Sequence, residues 1–200
     1  RDRLTPMEVG LCCWHTHAGP IAYADEKSRR KSGEYIESLV DGVVEAVKQA
    51  ESNLSPAQLE YSLGEASVGI NRREKMPDGS IDIGRNPDGP RDGSVQVISI
   101  LSTENNGSQP AKRLATIVNY ACHGTVLGPD NLLVSADWIG AMRQKVEAEL
   151  GGLSLFLQGA TADINPDMYW DDSGAFEMVA EQGWQVAEAV SAAVRCELHK

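Results

Sequence analysis

Three short apolar segments constrain the fold most, because each is typical of a strand that is buried on both faces. They are VQVISIL (95–101), LATIVNYA (114–121) and LSLFLQG (153–159). Helix-forming segments alternate with strand-forming ones along the chain. We therefore expect an α/β fold, with a layered mixed β-sheet flanked by helices, and a single domain over residues 1–200.

Further strands are predicted for MEVGLCCW (7–14) and LEYSLGEASVG (59–69), with a short strand at SIDIG (80–84) among Pro-Asp-Gly turns. Apolar residues at three-four spacing predict a helix that begins at Ser32 and ends before SNLSP. Two more helices are predicted over 137–150 and 174–197. We expect the apolar face of each helix to be part of the core. For the first helix that face comprises Ile36, Leu39, Val40, Val43, Val44 and Val47. For the last it includes Phe176, Val179, Trp184, Ala187 and Val190.

Composition excludes several classes of function. The formal net charge of −11 argues against phosphate-backbone binding, so nucleic acid is not an expected partner. The short basic clusters at 27–31 and 71–75 are interpreted as solvated loops, and no apolar run approaches the roughly 20 residues of a membrane span. The sequence begins at Arg1 without a recognisable signal peptide, so we expect a fragment of a longer protein.

Four cysteines are present, namely Cys12, Cys13, Cys122 and Cys196, and they form no CxxC motif. Buried free thiols are the favoured interpretation, because free cysteine is among the most buried residue types. A disulfide and metal ligation are the alternatives.

Polar residues collect where three apolar strands end. His15 and His17 follow the predicted strand 7–14, and Asn119 and His123 close the strand 114–121. Gln158 to Asp163 follow the strand that begins at residue 153. Such groups converge if the strands are parallel neighbours, because ligands bind beyond the carboxyl ends of parallel strands. On an extended segment both histidines of an HxH pair point to one face. The sequence therefore indicates a zinc site, with core or turn histidines as the alternative.

Four segments together resemble the N-terminal catalytic domain of the neutral/alkaline non-lysosomal ceramidase family. They are HTHAGP (15–20), GINR (69–72), NYACHGTVLGPDNLLVSADWIG (119–140) and FLQGATADINP (156–166), in the order that the family has them. The resemblance implies a zinc-dependent hydrolase of an amide bond, acting on an N-acyl lipid or a related amide in sphingolipid metabolism. It also implies a secreted or extracytoplasmic location.

The resemblance also implies roles for individual residues. His15 and His123 would be zinc ligands, and His17 and Arg72 would act on the substrate carbonyl. Asn71, Gln158 and Gly159 would contact substrate. Asp163 is a candidate for a further ligand if the chain is complete, with Asp137 as another; a turn residue is the alternative for Asp163 and a helix N-cap for Asp137.

The sequence departs from the family at two places. The segment that corresponds to the family's serine nucleophile is Gln158-Gly159-Ala160, which has no hydroxyl there, so water would attack in its place. The family's remaining zinc ligands, a Glu and a Tyr, belong to a later region of a longer protein. The alternative function is therefore a non-catalytic ceramidase-like domain that serves as a binding or interaction module.

Overall fold

The structure is a computed structural model that describes residues 9–22, 26–104, 111–167 and 175–197. Three helices and seven strands occur within these ranges. In chain order they are α1 (Glu26–Ser52), β1 (Ala57–Glu65), β2 (Gly69–Lys75), β3 (Ile81–Asn86), β4 (Ser94–Ser102), β5 (Arg113–Tyr120), α2 (Asp137–Leu150), β6 (Leu153–Gln158), β7 (Ile164–Pro166) and α3 (Ala175–Glu197).

The larger sheet has the strand order β1-β4-β5-β6. Its first three strands pair antiparallel, whereas β5 and β6 pair parallel and are connected through α2. A smaller antiparallel sheet has the order β3-β2-β7. The mixed sheet with flanking helices confirms the predicted α/β class.

The core lies between the larger sheet and the helices α2 and α3. Trp138 is at its centre, with its ring edge-to-face against Tyr120 at 5.9 Å and Phe156 at 5.4 Å between centroids. Alternate strand residues point to this side, as the pleat requires. Those that are almost fully buried include Val95, Val97 and Val118, and the helices add Ile139, Met142, Val146, Val186 and Val190.

The opposite face of the larger sheet is apolar and open. Register places Tyr61, Ile98, Ile117 and Leu155 in one row across the four strands. Leu59 is 67% exposed and Leu155 is 45% exposed, because no described helix covers this face. Strands that look buried on both faces in the sequence are therefore covered on one face only within the described residues.

The predicted strand over 7–14 is wrong for its described part, since residues 9–14 have no regular structure; residues 7 and 8 lie outside the described ranges. The first helix begins at Glu26 instead of Ser32. Ser32 instead marks a kink, with φ −135° and ψ 21°. Residues 71–75, interpreted as a solvated loop, belong to strand β2.

The apolar faces of α1 and α3 are less buried in the structure than predicted. In α1, Leu39, Val40 and Val44 are exposed, because this helix has no extensive packing against another described element. In α3, Phe176 and Trp184 are half exposed, whereas Ala187 and Val190 are buried as expected. The buried stripe of α3 includes Val186, Ala187, Val190, Ala193 and Val194.

All four cysteines are free thiols. Cys122 is buried, as expected, but Cys12, Cys13 and Cys196 are exposed, so the interpretation as buried residues is wrong for three of the four. The segment with Cys12 and Cys13 is irregular and lies at the surface, which explains the difference. None of the described helices is long and apolar enough to cross a membrane.

Candidate functional site

His15 and His17 lie on a turn and not on an extended strand. His15 has a left-handed φ of 57°, which is uncommon for a residue with a side chain. The turn is held by Thr16, whose Oγ1 accepts from the backbone N of Ala18 at 3.2 Å. The two rings nevertheless lie against each other edge to face, with their Nε2 atoms 3.3 Å apart and their centroids 4.9 Å apart.

His123 follows strand β5 and is buried. Its backbone N and its Nδ1 both donate to the carbonyl oxygen of Ile164, at 3.1 and 2.7 Å. A carbonyl only accepts, so Nδ1 carries the proton and Nε2 keeps its lone pair. The ring centroid of His123 lies 5.0 Å from that of His15 and 6.5 Å from that of His17. We call these three residues the histidine cluster.

Two imidazoles of the cluster are biased toward the neutral form. Burial lowers the pKa of His123, and the positive charge of Arg72 lowers it further, although the hydrogen bond to Ile164 opposes the shift. The pKa of His17 is lowered by partial burial and by the neighbouring His15 and Arg72. A neutral imidazole is the form that binds a metal.

The chemistry of the cluster fits zinc, since imidazole nitrogen is one of its common ligands, but the donor set is incomplete. Across residues 9–22, 26–104, 111–167 and 175–197, no group of three or more His, Cys, Asp or Glu side chains is arranged so that it could hold a metal ion. The three rings pack edge to face, with centroids 4.9 to 6.5 Å apart.

Arg72, on β2, is close enough to the cluster for its positive charge to lower the pKa of both His17 and His123. Its Nη1 donates to Oδ1 of the buried Asn165 at 3.3 Å, and its backbone N donates to the backbone carbonyl oxygen of Asp163 at 2.8 Å. Sequence reasoning missed Asn165. The available signal for this residue was its position directly before Pro166 in the segment FLQGATADINP (156–166).

Asp163 is oriented toward strand β2. Its Oδ2 accepts from Nδ2 of Asn71 at 3.2 Å and lies 3.9 Å from Nε of Arg73. Asn71 is itself buried, donates to the carbonyl of Pro90 at 2.9 Å and accepts from the backbone N of Arg73. Asn71 and Asp163 are thus brought together and are hydrogen-bonded to each other.

Gln158 and Gly159 lie at the end of β6, beside the parallel end of β5. Gln158 donates from Nε2 to the carbonyl of Cys122 at 2.8 Å, and its Oε1 is buried without a hydrogen-bond partner in the described part of the chain. A Cβ on Gly159 would lie 3.1 Å from backbone atoms of Ala121. The parallel pairing explains why these residues lie close to the His123 segment.

An open cleft of about 840 Å³ lies beside His15 and His17. Its other walls include Ile21, Thr125 and Leu127, so most of the lining is apolar. Thr125 is a second residue that sequence reasoning missed; its hydroxyl is buried and has no partner among the described residues. The cleft can therefore accommodate an apolar group next to two imidazoles.

Fold and site together define an α/β protein whose polar site lies beyond the carboxyl ends of parallel strands. The chain belongs to the neutral/alkaline non-lysosomal ceramidase family, because the profile of that family's N-terminal region matches residues 2–161. The matched region includes the whole histidine cluster and Arg72.

Individual relatives agree with this assignment. The chain is 27% identical over 183 residues to a neutral ceramidase of Mycobacterium tuberculosis, covering 84% of this chain and 28% of the relative. The structure of a neutral ceramidase from Pseudomonas aeruginosa is similar with a TM-score of 0.68 at 23% identity, over 90% of this chain and 30% of that one. A ceramidase complexed with C2 is similar with a TM-score of 0.69 at 23% identity, over 90% and 29% of the two chains. The chain thus spans less than a third of the length of these relatives.

Proposed function

We propose that this chain is part of a zinc-dependent hydrolase that cleaves an amide bond in an N-acyl lipid of the ceramide type. The observation that carries the proposal is the histidine cluster, which brings His15, His17 and His123 together beside an apolar cleft. Membership of the family supports the substrate class. We extend the proposal to an extracytoplasmic location, which the resemblance implies.

In this proposal His15 and His123 hold the metal. His123 is suited to the role because its protonated Nδ1 is bound to Ile164, which orients the ring and leaves Nε2 as the ligand atom. When bound, zinc supplies a Lewis acid for the amide carbonyl. Asp163 stays a candidate for a further ligand, and its carboxylate would have to turn away from Asn71 to reach the cluster.

His17 and Arg72 are the proposed catalytic groups. His17 is exposed to the cleft and has a lowered pKa, so it is a proton acceptor at neutral pH. Arg72 is a fixed positive charge held by Asn165, and it stabilises negative charge that develops on the carbonyl oxygen. The acyl chain would lie along the cleft, against Ile21 and Leu127. Asn71, Gln158 and Gly159 keep their proposed place in substrate binding.

The test combines metal analysis with an amidase assay. Purified protein is loaded with zinc, desalted and analysed by plasma mass spectrometry, and hydrolysis of a short-chain N-acyl sphingoid is followed. His15→Ala and His123→Ala are each expected to abolish both bound zinc and hydrolysis. His199→Ala is the matched control, since it removes the one histidine outside the cluster and should leave both unchanged. Full hydrolysis in a zinc-free preparation would refute the proposal.

A second candidate is a non-catalytic binding module of the same family. One observation favours it: no carboxylate joins the imidazoles in the described residues. Binding of the N-acyl sphingoid without hydrolysis, with or without zinc, would select this candidate.

A further inference from the structure

We propose that residues 135–138, at the start of α2, form a positioning element that holds the His15 and His123 segments together, with Asp137 as its central positioning residue. The proposal rests on the proposed function of the histidine cluster. The sequence predicted that a helix begins here, and it offered Asp137 either as a further metal ligand or as the helix N-cap. In the structure they contact both segments that carry the histidines, which come from distant parts of the sequence.

The contacts to the His123 segment come from two side chains. The carboxylate of Asp137 accepts from the backbone N atoms of Val126 and Leu127, at 3.1 and 2.9 Å. The indole Nε1 of Trp138 donates to the carbonyl oxygen of His123 at 2.7 Å. The loop is thus fixed at the histidine itself and at the residues that follow it.

The contacts to the His15 segment pass through Ser135. Its backbone N donates to the carbonyl of Ala18 at 2.8 Å, and its carbonyl accepts from Oγ1 of Thr16 at 2.9 Å. Thr16 lies between the two histidines of the HTH turn. Ser135 is also linked to Asp137, whose backbone N donates to Oγ of Ser135 at 3.0 Å. One short segment therefore joins both sides of the cluster.

Asp137 is not the N-cap of α2. A capping side chain accepts from N–H groups of its own helix, whereas two of the three N–H groups at this carboxylate belong to the loop 126–127. The residue before it, Ala136, is at the N-cap position and makes no side-chain cap. The carboxylate is buried, with both of its oxygens used by backbone donors, so it is not free to bind a metal.

Backbone conformation gives independent support. Among the described residues, His15 and Asp137 are the non-glycine residues with positive φ, at 57° and 56°. Such conformations persist where the surrounding structure enforces them, and they concentrate at functional sites. Here one lies in the cluster and the other in the element that holds it. The two conformations are joined through Thr16 and Ser135.

The variants remove one connection at a time. Asp137→Asn keeps the volume but turns an NH₂ group toward a backbone N–H, and Trp138→Phe keeps the ring but removes the indole donor. Thr16→Val removes the hydroxyl on the His15 side, and Thr16→Ser restores it. Val146→Ala is the matched control, because it creates a cavity in the buried face of α2 without touching either histidine segment.

The primary measurement is the nuclear Overhauser contact between the ring protons of His15 and His123 in the metal-free chain, at a temperature where every variant is folded. We expect this contact to be lost in Asp137→Asn, weakened in Trp138→Phe and Thr16→Val, and retained in Thr16→Ser and Val146→Ala. Zinc affinity, measured by competition with a chromophoric chelator, should fall by about 10- to 100-fold in the variants that lose or weaken the ring contact.

Two results would overturn the proposal. One is an unchanged ring contact in Asp137→Asn and Trp138→Phe. The other is an equal loss in Val146→Ala, which would mean that any destabilisation of α2 disperses the cluster. A parent chain that binds no zinc would count against the proposed function alone, because the ring contact is measured without metal.

Discussion

His123 donates a hydrogen bond from Nδ1 to the carbonyl oxygen of Ile164, at 2.7 Å. The acceptor belongs to β7, in the smaller sheet, while His123 follows β5, in the larger one. The bond therefore ties the two sheets together at the histidine cluster. It also selects one tautomer, because a carbonyl cannot donate.

The first prediction concerns that tautomer. In the metal-free chain at neutral pH, His123 should carry its proton on Nδ1, because Nδ1 donates to the carbonyl of Ile164. Nitrogen-15 NMR of the imidazoles distinguishes the two tautomers directly. A proton found on Nε2 of His123 would contradict the geometry described for the site.

The second prediction concerns stability and pH. The pKa of His123 is lowered in the folded chain, mainly by burial. Its contribution to the free energy of unfolding is therefore fully present above the ordinary pKa of about 6.5 and is lost as the pH falls. Below that pH the unfolded chain binds a proton that the folded chain resists. The free energy of unfolding of the metal-free chain should therefore decrease between pH 7 and pH 5.

The control for this effect is His123→Gln, measured by urea unfolding in the presence of a chelator. It should give a shallower decrease than the parent over the same pH range. The comparison isolates the imidazole from Asp137, whose pKa is raised by burial and whose protonation acts in the opposite sense. Equal slopes for the two proteins would show that His123 does not contribute.

The third prediction concerns Asn71, which is 2% exposed and donates to both Pro90 and Asp163. Asn71→Ala should reduce the free energy of unfolding by about 1–3 kcal/mol, because the carbonyl of Pro90 loses its donor and the backbone N of Arg73 loses its acceptor. Asn71→Asp should reduce it more at pH 7, since a second carboxylate then faces Asp163. Acidification should recover part of the Asn71→Asp loss, and a pH-independent difference between the two variants would argue against carboxylate repulsion.

The fourth prediction compares the two faces of the larger sheet. Met142→Ala, on the covered side, should cost about 2–5 kcal/mol, because the side chain is fully buried. Leu59→Ala, on the open side, should change stability by no more than about 0.5 kcal/mol, because Leu59 is largely exposed. Thermal unfolding of both variants checks this. A comparable cost for Leu59→Ala would mean that the open face is covered in solution.

Local sequence determined the elements whose signals do not depend on distant partners. Helix α2 is found at Asp137–Leu150, where it was predicted, because its apolar spacing and its Gly-Gly stop are contained in the segment itself. β4, β5 and β6 follow their β-branched and apolar runs closely. The sequence also predicted that polar residues gather at the ends of β5 and β6 if the two strands are parallel neighbours. The structure shows that they are.

Tertiary structure decided the rest, because burial and side-chain direction depend on what packs against each segment. The apolar stripe of α1 predicted a core helix, yet it has no extensive partner among the described elements. The HTH pair was expected on a strand; the left-handed backbone of His15 brings the two rings together instead. That Asp137, 122 positions after His15, helps to hold the cluster follows only from contacts between distant segments, and no local pattern records them.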